Sequence, residues 1–328
     1  MKEIQIGIAG YGNIGRGVEL AIKQNPDMNL AAVFTRRQPE TVQTISDQVP
    51  VIPMDQILEW KERIHVLILC GGSATDLPQM GPELAKNFNT VDSFDTHAHI
   101  PAYFQAVDQA AKAGGHVCLI ATGWDPGLFS LNRLFAEAIL PQGETHTFWG
   151  AGVSQGHSDA IRRIPGVKNA VQYTIPVAAA MEQAREGRAG SLTARDKHLR
   201  QCFVATHADA DQGAIETAIK TMPNYFADYE TTISFVSEEE LAADHSRMPH
   251  GGFVIRQGRT GQAGSSQTIE YGLKLESNPE FTSSVLVSYA RAVHRLSQQG
   301  VSGAQTVFDI PPGLLSPKTP AELRAQLL

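Results

Sequence analysis

Cysteine is scarce in this chain. Three thiols, Cys70, Cys118 and Cys202, occur in 328 residues, each in or at the end of an apolar run (VLILC, HVCLI, QCFV). Scattered cysteines of this kind exclude a disulfide framework and read as buried thiols in a reducing compartment. No C-x-x-C or H-x-x-x-H pair is present, so no metal site is expected. No stretch approaches the ~20 apolar residues of a membrane span. The chain does not open on a cationic segment followed by an apolar run and a cleavage site, and a cytoplasmic protein is expected. Cations are outnumbered: 27 Lys and Arg stand against 34 Asp and Glu, a net charge of −7. That balance excludes the basic footprint of a nucleic-acid binder. There is no G-x-S-x-G elbow to support serine hydrolysis, and there are no internal repeats or low-complexity segments.

What remains is an ordinary globular composition, 42% hydrophobic and 19% charged, in a chain long enough for about two domains. Its most informative stretch is the start. Lys2 to Ala9 reads as a short apolar strand that runs into Gly10-Tyr11-Gly12-Asn13-Ile14-Gly15. A helical pattern follows to about Gln24, then an apolar strand from Leu30 to Phe34. Strand, G-x-G-x-x-G, helix and strand form the βαβ context of a dinucleotide fingerprint. The glycines let the backbone turn and approach a pyrophosphate, and the helix N-terminus offers it N–H groups and a positive dipole end. Where NAD binders usually place an acidic residue for the ribose 2′-OH, this chain has Thr35-Arg36-Arg37. Two guanidiniums can clamp a 2′-phosphate, which favours NADP. A solvated arginine pair on a loop is the competing account.

Strand and helix alternate through the first 120 residues. Further strands are predicted at Val51-Ile52, His65–Cys70, Asn89–Phe94 and His116–Ala121, with helices near Asp55–Lys61, from Asp76 to about Lys86, and over Ile100–Ala113. This is a doubly wound, Rossmann-type parallel sheet, in which ligands sit at the carboxyl ends of the strands. Those ends carry the candidate cofactor contacts: Gly10, Tyr11, Gly12, Asn13, Ile14, Thr35, Arg36, Arg37, Cys70, Gly71, Gly72, Ser73, Ser93, Phe94, Asp95, Thr122, Gly123, Trp124, Asp125 and Pro126. Beyond Thr122-Gly123-Trp124-Asp125-Pro126-Gly127 the pattern changes. A helix over Phe129–Leu140 is followed by strands at Glu144–Trp149, Val171–Ile175, Leu199–Ala205, Tyr229–Val236, Gly252–Gln257 and Gln267–Leu275. Helices fall at Ala178–Glu186 and Ala210–Thr221, and a long amphipathic helix at Pro279–Gln299. The expected organisation is a dinucleotide-binding domain over 1–122, and a predominantly antiparallel α+β domain for substrate binding and dimerisation over 123–299. A C-terminal segment of about 300–328, with Thr306–Ile310 and a terminal helix, is expected to pack back on the first domain.

Several strings are far more specific than the fingerprint: GYGNIGR at 10–16, FTRR at 34–37, CGGSATD at 70–76, VDSFDTH at 91–97, ATGWDPG at 121–127, HTFWGAGVSQGHSDAIRRIPGV at 146–167, AVQYT at 170–174, RQCFV at 200–204 and MPHGG at 248–252. Through them the chain resembles the meso-diaminopimelate dehydrogenase family along essentially its whole length, and most closely its dimeric branch. The resemblance implies an NADP-dependent homodimer. It implies reversible oxidative deamination of meso-2,6-diaminopimelate at the D-centre, giving L-2-amino-6-oxopimelate and ammonia. It also carries site residues onto this chain: Asp95, Asp125 and Trp149 with Gln155 and Gly156 at the D-centre, and Thr174, Arg200, His250 and Asn278 at the distal L-centre. Asp95 and Asp125 are the catalytic candidates, since a carboxylate or a bound water beside it can take the ammonium's proton before hydride leaves. A helix N-cap at Asp95 and core packing at Trp149 are the alternatives the residues themselves leave open. Two other readings compete: another two-domain NADP oxidoreductase of homoserine or dihydrodipicolinate reductase type, and a non-catalytic NADP sensor.

Overall fold

The computed structural model describes residues 3–190 and 192–328. In chain order come β1 (Ile4–Ala9), α1 (Asn13–Lys23), β2 (Met28–Thr35), β3 (Val51–Pro53), β4 (Val66–Leu69), α2 (Leu77–Ala85), β5 (Thr90–Asp92), α3 (Ile100–Gly114), β6 (Val117–Leu119) and α4 (Leu128–Ile139). Then follow β7 (Gly143–Trp149), β8 (Gly152–Val153), α5 (Gln155–Arg162), β9 (Val167–Pro176), α6 (Ala178–Arg185), α7 (Ala194–Lys197), β10 (His198–Thr206), α8 (Gln212–Lys220), β11 (Glu230–Phe235) and α9 (Glu238–Asp244). The chain closes with β12 (His250–Thr260), β13 (Ser265–Leu275), α10 (Asn278–Gln298), β14 (Gly303–Gln305) and α11 (Pro320–Leu327). The chain divides into two units, Met1–Leu131 with Pro279–Leu328, and Asn132–Asn278.

The first unit is a seven-stranded parallel sheet in the order β14-β6-β5-β4-β1-β2-β3. Both faces are covered, which is why its strands read as continuous apolar runs. On β4, Val66 and Ile68 enter one core with Ile6, Ile8, Val18 and Leu286, while Leu67 and Leu69 enter the opposite core with Leu77, Phe94 and Tyr103. The segment read as a helix near Asp55–Lys61 is a 3-10 helix, Met54–Trp60.

The sequence predicts a second domain running to 299, whereas the second unit ends at Asn278. The reason is the apolar face of α10. Val285, Leu286, Tyr289, Val293 and Leu296 are buried in the core shared with β1 and α1. The approach is close: a Cβ on Gly17 of α1 would stand 2.5 Å from Ser283 Oγ. The first unit likewise begins α4, so its chain continues past 122 to Leu131. The C-terminal segment packs back on the first unit: Gly303–Gln305 pairs with β6, and Thr306–Ile310 contains a capped 3-10 turn whose Val307 and Ile310 enter the same core.

The second unit holds two sheets, β11-β10-β9-β8 and β13-β12-β7. Pairing is antiparallel except between β10 and β11, which run parallel. Helices α5 and α8 cover the first sheet through Ile161, Ile215 and Ile219 over Ala170, Cys202 and Val204. Helix α6 packs Ala180, Met181 and Ala184 on Phe148 and Ile255 of the second. Helix α5 falls inside the glycine-rich string at 146–167 and was not foreseen. Its apolar positions are too few to mark a helical period.

One ion pair fixes α10 in the first unit. The guanidinium of Arg291, 1% exposed, donates from Nε to Asp27 Oδ2 at 2.6 Å and from Nη2 to Asp27 Oδ1 and Asn25 Oδ1 at 2.7 Å, while Nη1 reaches Leu315 O at 2.7 Å. Hydrogen bonds from Arg291 hold the Asp27 carboxyl below its usual range against the opposing effect of burial. Arg291→Leu leaves Asp27 without its cation, and denaturant unfolding should show a loss of about 3–5 kcal/mol. Because the folded carboxyl has the lower pKa, its contribution is present above pH ~4 and lost as pH falls through the folded value. The variant should therefore lose less stability than wild type on acidification below pH ~4.

Candidate active site

The first unit gathers the cofactor candidates at the carboxyl edge of its sheet. β1 turns at Gly10, whose φ of 95° lies in the left-handed region, and the chain enters α1 with no side-chain cap. The three glycines of the fingerprint differ in kind. A Cβ on Gly15 would come within 2.4 Å of Gly10 O and one on Gly10 within 3.2 Å of Cys70 O, so both are demanded by internal packing. A Cβ on Gly12 would meet nothing within 4 Å, so no protein atom explains that glycine. The open space lies over the uncapped start of α1, the kind of helix N-terminus that suits an anion.

At the end of β2, buried Thr35 accepts from Arg37 N at 3.0 Å. Arg37 Nη2 donates to Tyr11 O at 2.6 Å, and exposed Arg36 pairs with Asp76 at 2.6 Å. Asp76 Oδ2 also accepts from Gly72 N at 2.8 Å, and this bond, with Arg36, keeps its carboxyl below the usual range. Tyr11 is itself held by a short hydrogen bond to Glu19, a buried carboxylate that also accepts from Ile45 N and Ser46 N. Both arginines are thus anchored, one on the fingerprint loop and one on the loop after β4.

The ends of β4, β5 and β6 are tied together. Ser73 Oγ accepts from Asp95 N at 2.8 Å and Thr96 N at 3.2 Å. Asp95 is exposed and no helix is capped by its side chain: the 3-10 turn that follows has Thr96 at its N-cap position, without a side-chain cap bond. Phe94 and Thr122 are buried, and Trp124 is buried edge-on against Phe129 at 5.2 Å. The 123–127 segment folds tightly: Leu128 N donates to Gly123 O at 3.0 Å and Phe129 N to Trp124 O at 2.8 Å, and Asp125-Pro126 is cis. Burial pushes the Cys70 thiol up, so it offers no thiolate. Among the described residues no His, Cys, Asp and Glu cluster could hold a metal ion, and no helix is long and apolar enough to cross a membrane.

The second unit gathers the remaining candidates around β9 and β10. Thr174 faces Arg200 across the two strands and Gly152 across β8 and β9. Arg200 is 7% exposed, donates from Nη1 to Thr174 Oγ1 in a short bond, and lies over the Tyr229 ring, 4.0 Å from its centroid. Its Nε has no partner, and no carboxylate pairs with it among the described residues. A buried guanidinium with an unmade bond is a costly arrangement that an incoming carboxylate relieves.

Two histidines flank this cation and both are neutral. His198 is pushed down to about 4 by burial, then by the charges of Arg200 and Lys197. Its Nε2 accepts from Trp149 N at 2.9 Å, which places the ring proton on Nδ1, and its ring stacks on Trp149 at 5.4 Å. Trp149 is 39% exposed, so it is not a core residue. His157, on Ser154 Oγ at 2.7 Å, is pushed down to about 4 by burial and then by Arg200. The 248–252 string is stitched to the same place. Val153 N donates to Pro249 O at 2.8 Å, Gly150 N to Gly251 O at 2.9 Å, Asn278 N to Met248 O at 2.9 Å, and Gln155 Nε2 to Met248 Sδ at 2.8 Å. A Cβ on Gly152 would stand 2.5 Å from His250 Cα. Trp149, Gln155, Gly156 at the start of α5, Thr174, Arg200, His250 and Asn278 therefore share one region of the second unit. Asp92, Tyr229 and Gln172 were not singled out from sequence; each sits in a strand-like run where a polar residue looks like simple alternation.

A dinucleotide-binding parallel sheet with a separate α+β unit is the architecture of a two-domain nicotinamide-dependent dehydrogenase. Comparison with known proteins narrows the class. The family model for the diaminopimelic acid dehydrogenase C-terminal domain matches residues 123–277. The chain is 62% identical to the meso-diaminopimelate D-dehydrogenase of Ureibacillus thermosphaericus over the full length of both. Its structure is similar to that of the Corynebacterium glutamicum DAP dehydrogenase in complex with DAP, with a TM-score of 0.93 and 48% identity over all of both chains. It is also similar to an engineered D-amino acid dehydrogenase bound to NADP+, with a TM-score of 0.88 and 46% identity over all of both chains. The chain belongs to the meso-diaminopimelate D-dehydrogenase family.

The glycines offer a direct test. Gly15→Ala drives a Cβ into backbone and should lower stability by about 1–3 kcal/mol. Gly12→Ala should leave the melting temperature nearly unchanged, because no protein atom lies in that space, yet weaken dinucleotide binding about tenfold or more if a pyrophosphate approaches there. Calorimetry and a cofactor titration on the two variants check this; equal stability losses would show that Gly12 too is a packing residue.

Proposed function

We propose that the protein carries out the reversible oxidative deamination of meso-2,6-diaminopimelate at its D-centre with NADP, giving L-2-amino-6-oxopimelate and ammonia. The observation that carries this reading is Arg200: a buried, unpaired guanidinium on a surface shared with Thr174, His250 and Asn278, in a chain otherwise built to hold a dinucleotide. A substrate with a carboxylate remote from the reacting carbon suits that donor set. The bound nicotinamide supplies the hydride acceptor. Gly10, Gly12, the α1 N-terminus and Gly71–Ser73 hold its phosphates, and Arg36 and Arg37 hold the 2′-phosphate. Thr122, Gly123, Trp124 and Pro126 line the end of β6 beside it.

The chain's own residues do the rest. An ammonium cannot release hydride from its carbon until its nitrogen loses a proton. Asp95 and Asp125 stand on consecutive strand ends of one sheet edge, and we assign them to receive and hold that proton. Loss of hydride from the D carbon leaves an imine, which water hydrolyses to the oxo group and ammonia. Trp149, with Gln155 and Gly156, orients the D-amino-acid end. Arg200 and Thr174 take the distal carboxylate, with His250 and Asn278 beside them. Neutral His198 and His157 add no competing positive charge. Anchoring the L-centre leaves the D-centre to react, so remote binding energy is used for orientation. Leu134, Phe135 and Ile139 leave exposed apolar side chains on α4, which supports a homodimer. Three free thiols support a cytoplasmic setting.

The function is tested by turnover of the meso, LL and DD isomers with NADP and NAD. Strong turnover of the meso isomer with NADP is expected, with little of LL, which has no D-centre, and weak turnover of DD, which lacks the anchoring L-centre. Equal rates on all three isomers would contradict it. For the cofactor, Arg36→Ala or Arg37→Ala should weaken NADP by about 1–3 kcal/mol and leave NAD nearly unchanged. Equal losses for both cofactors would remove the phosphate clamp. For the substrate, Arg200→Met should lower kcat/KM for meso-diaminopimelate by about 10²-fold or more, with NADP affinity preserved, and should spare a simple D-amino acid that has no distal carboxylate. Equal losses on both substrates would place Arg200 at the reacting centre or in folding.

A further inference from the structure

The end of β5 contains a carboxylate that the reaction scheme does not use. Asp92 is 1% exposed, and no cation pairs with it among the described residues. Its partners are three donors from three places. Oδ1 accepts from Phe94 N at 2.9 Å and Ala121 N at 3.2 Å, and Oδ2 accepts from Tyr103 OH at 2.7 Å. Its backbone carbonyl accepts from Thr122 N at 2.9 Å. One residue thus bonds the segment leading to Asp95 and the segment leading to Asp125.

Both segments need holding. Ala121 has a φ of 53°, a left-handed conformation unfavourable for an L-residue, and it lies four residues before Asp125. Phe94 immediately precedes Asp95, and its ring stacks on Tyr103 at 4.2 Å. Tyr103 has no freedom to turn away: its hydroxyl fills the space above Gly81 of α2, where a Cβ would stand 2.0 Å from it. Helices α2 and α3 therefore fix the tyrosine, the tyrosine fixes Asp92, and Asp92 fixes two loop entries. Burial raises the Asp92 carboxyl to about 6 against the pull of these same three donors. A buried carboxylate without a counter-ion is an expensive way to join strands that already pair through their backbones.

We infer that Asp92 is a positioning residue for the reaction, setting the spacing of Asp95 and Asp125 through the loop entries at Phe94 and Ala121. The inference rests on the functional assignment of those two aspartates given above. Displacing catalytic groups by about 1 Å costs on the order of 10²-fold in rate, while the cofactor-binding glycine loop is held by other contacts.

The experiment compares wild type, D92A and D92N. Wild-type turnover of meso-diaminopimelate comes first and tests the functional assignment by itself. Hydrogen exchange read by mass spectrometry then tests the positioning without reference to activity. In D92A, peptides covering 93–97 and 121–127 should exchange faster, and those covering 10–16 should not. With kinetics, D92A should lose about 10²-fold in kcat, with a much smaller rise in KM for NADP because the glycine loop at 10–16 is held independently. D92N keeps the Oδ1 acceptor in place, so it should recover kcat to within about threefold and restore protection of both segments. If D92A does not accumulate as folded protein, Tyr103→Phe removes one donor and should speed exchange in 93–97 and lower kcat by a larger factor than it raises KM for NADP. Unchanged exchange and kcat in D92A or Y103F, a D92N variant as impaired as D92A, or a matching rise in KM for NADP would each overturn the inference.

Discussion

Parallel strand pairing is the constraint on which the first unit depends. With β1, β2, β4, β5 and β6 all running the same way, every one of their carboxyl ends opens on the same sheet edge. Gly10–Ile14, Thr35–Arg37, Gly71–Ser73, Ser93–Asp95 and Thr122–Pro126 are neighbours for that reason, although 116 residues separate the first from the last. A parallel sheet also needs both faces covered. The chain meets that need with α2 and α3 on one side and with α1 and α10 on the other. It must therefore return to the first unit after completing the second, and Arg291 on Asp27 is the clamp on that return.

The second unit follows a different logic. Its sheets are antiparallel apart from β10 and β11, and its distinguishing feature is a buried charge rather than a sheet edge. Arg200 is brought opposite Thr174 by the register of β9 and β10 and seated on Tyr229 at the start of β11. His157 and His198 are kept neutral by burial and by the guanidinium itself, so a buried cation sits among neutral hydrogen-bonding groups. Such a donor set discriminates in favour of a carboxylate at that position, because a neutral group there would leave the arginine unsatisfied.

Much of this was legible in the sequence, and unevenly so. The βαβ start, the alternation through residue 120 and the long apolar face of α10 are strong periodic signals, and they located the elements to within a few residues. The domain to which α10 belongs was not legible: an amphipathic helix records that it has an apolar face, not which core receives it. The sequence predicts no element between Trp149 and Val171, yet that stretch contains β8 and α5. There the glycines and polar residues serve close contacts between loops, such as Gly152 against His250, so propensity and periodicity are both weak. Asp92 was hidden for another reason. Its importance lies in accepting bonds from residues 94, 103 and 121, and no local pattern encodes those partners. Among the site candidates, the long unusual strings carried more than any single residue type, since glycine turns and arginine pairs recur in many folds.

The central claim is that hydride leaves the D-centre of meso-diaminopimelate. Its most direct test uses substrate deuterated at the D carbon alone, incubated with the protein and NADP, followed by NMR of the reduced cofactor. Deuterium at nicotinamide C4, with none transferred from substrate deuterated at the L carbon, is the expected result. Deuterium arriving from the L carbon, or none arriving from either, would contradict the account.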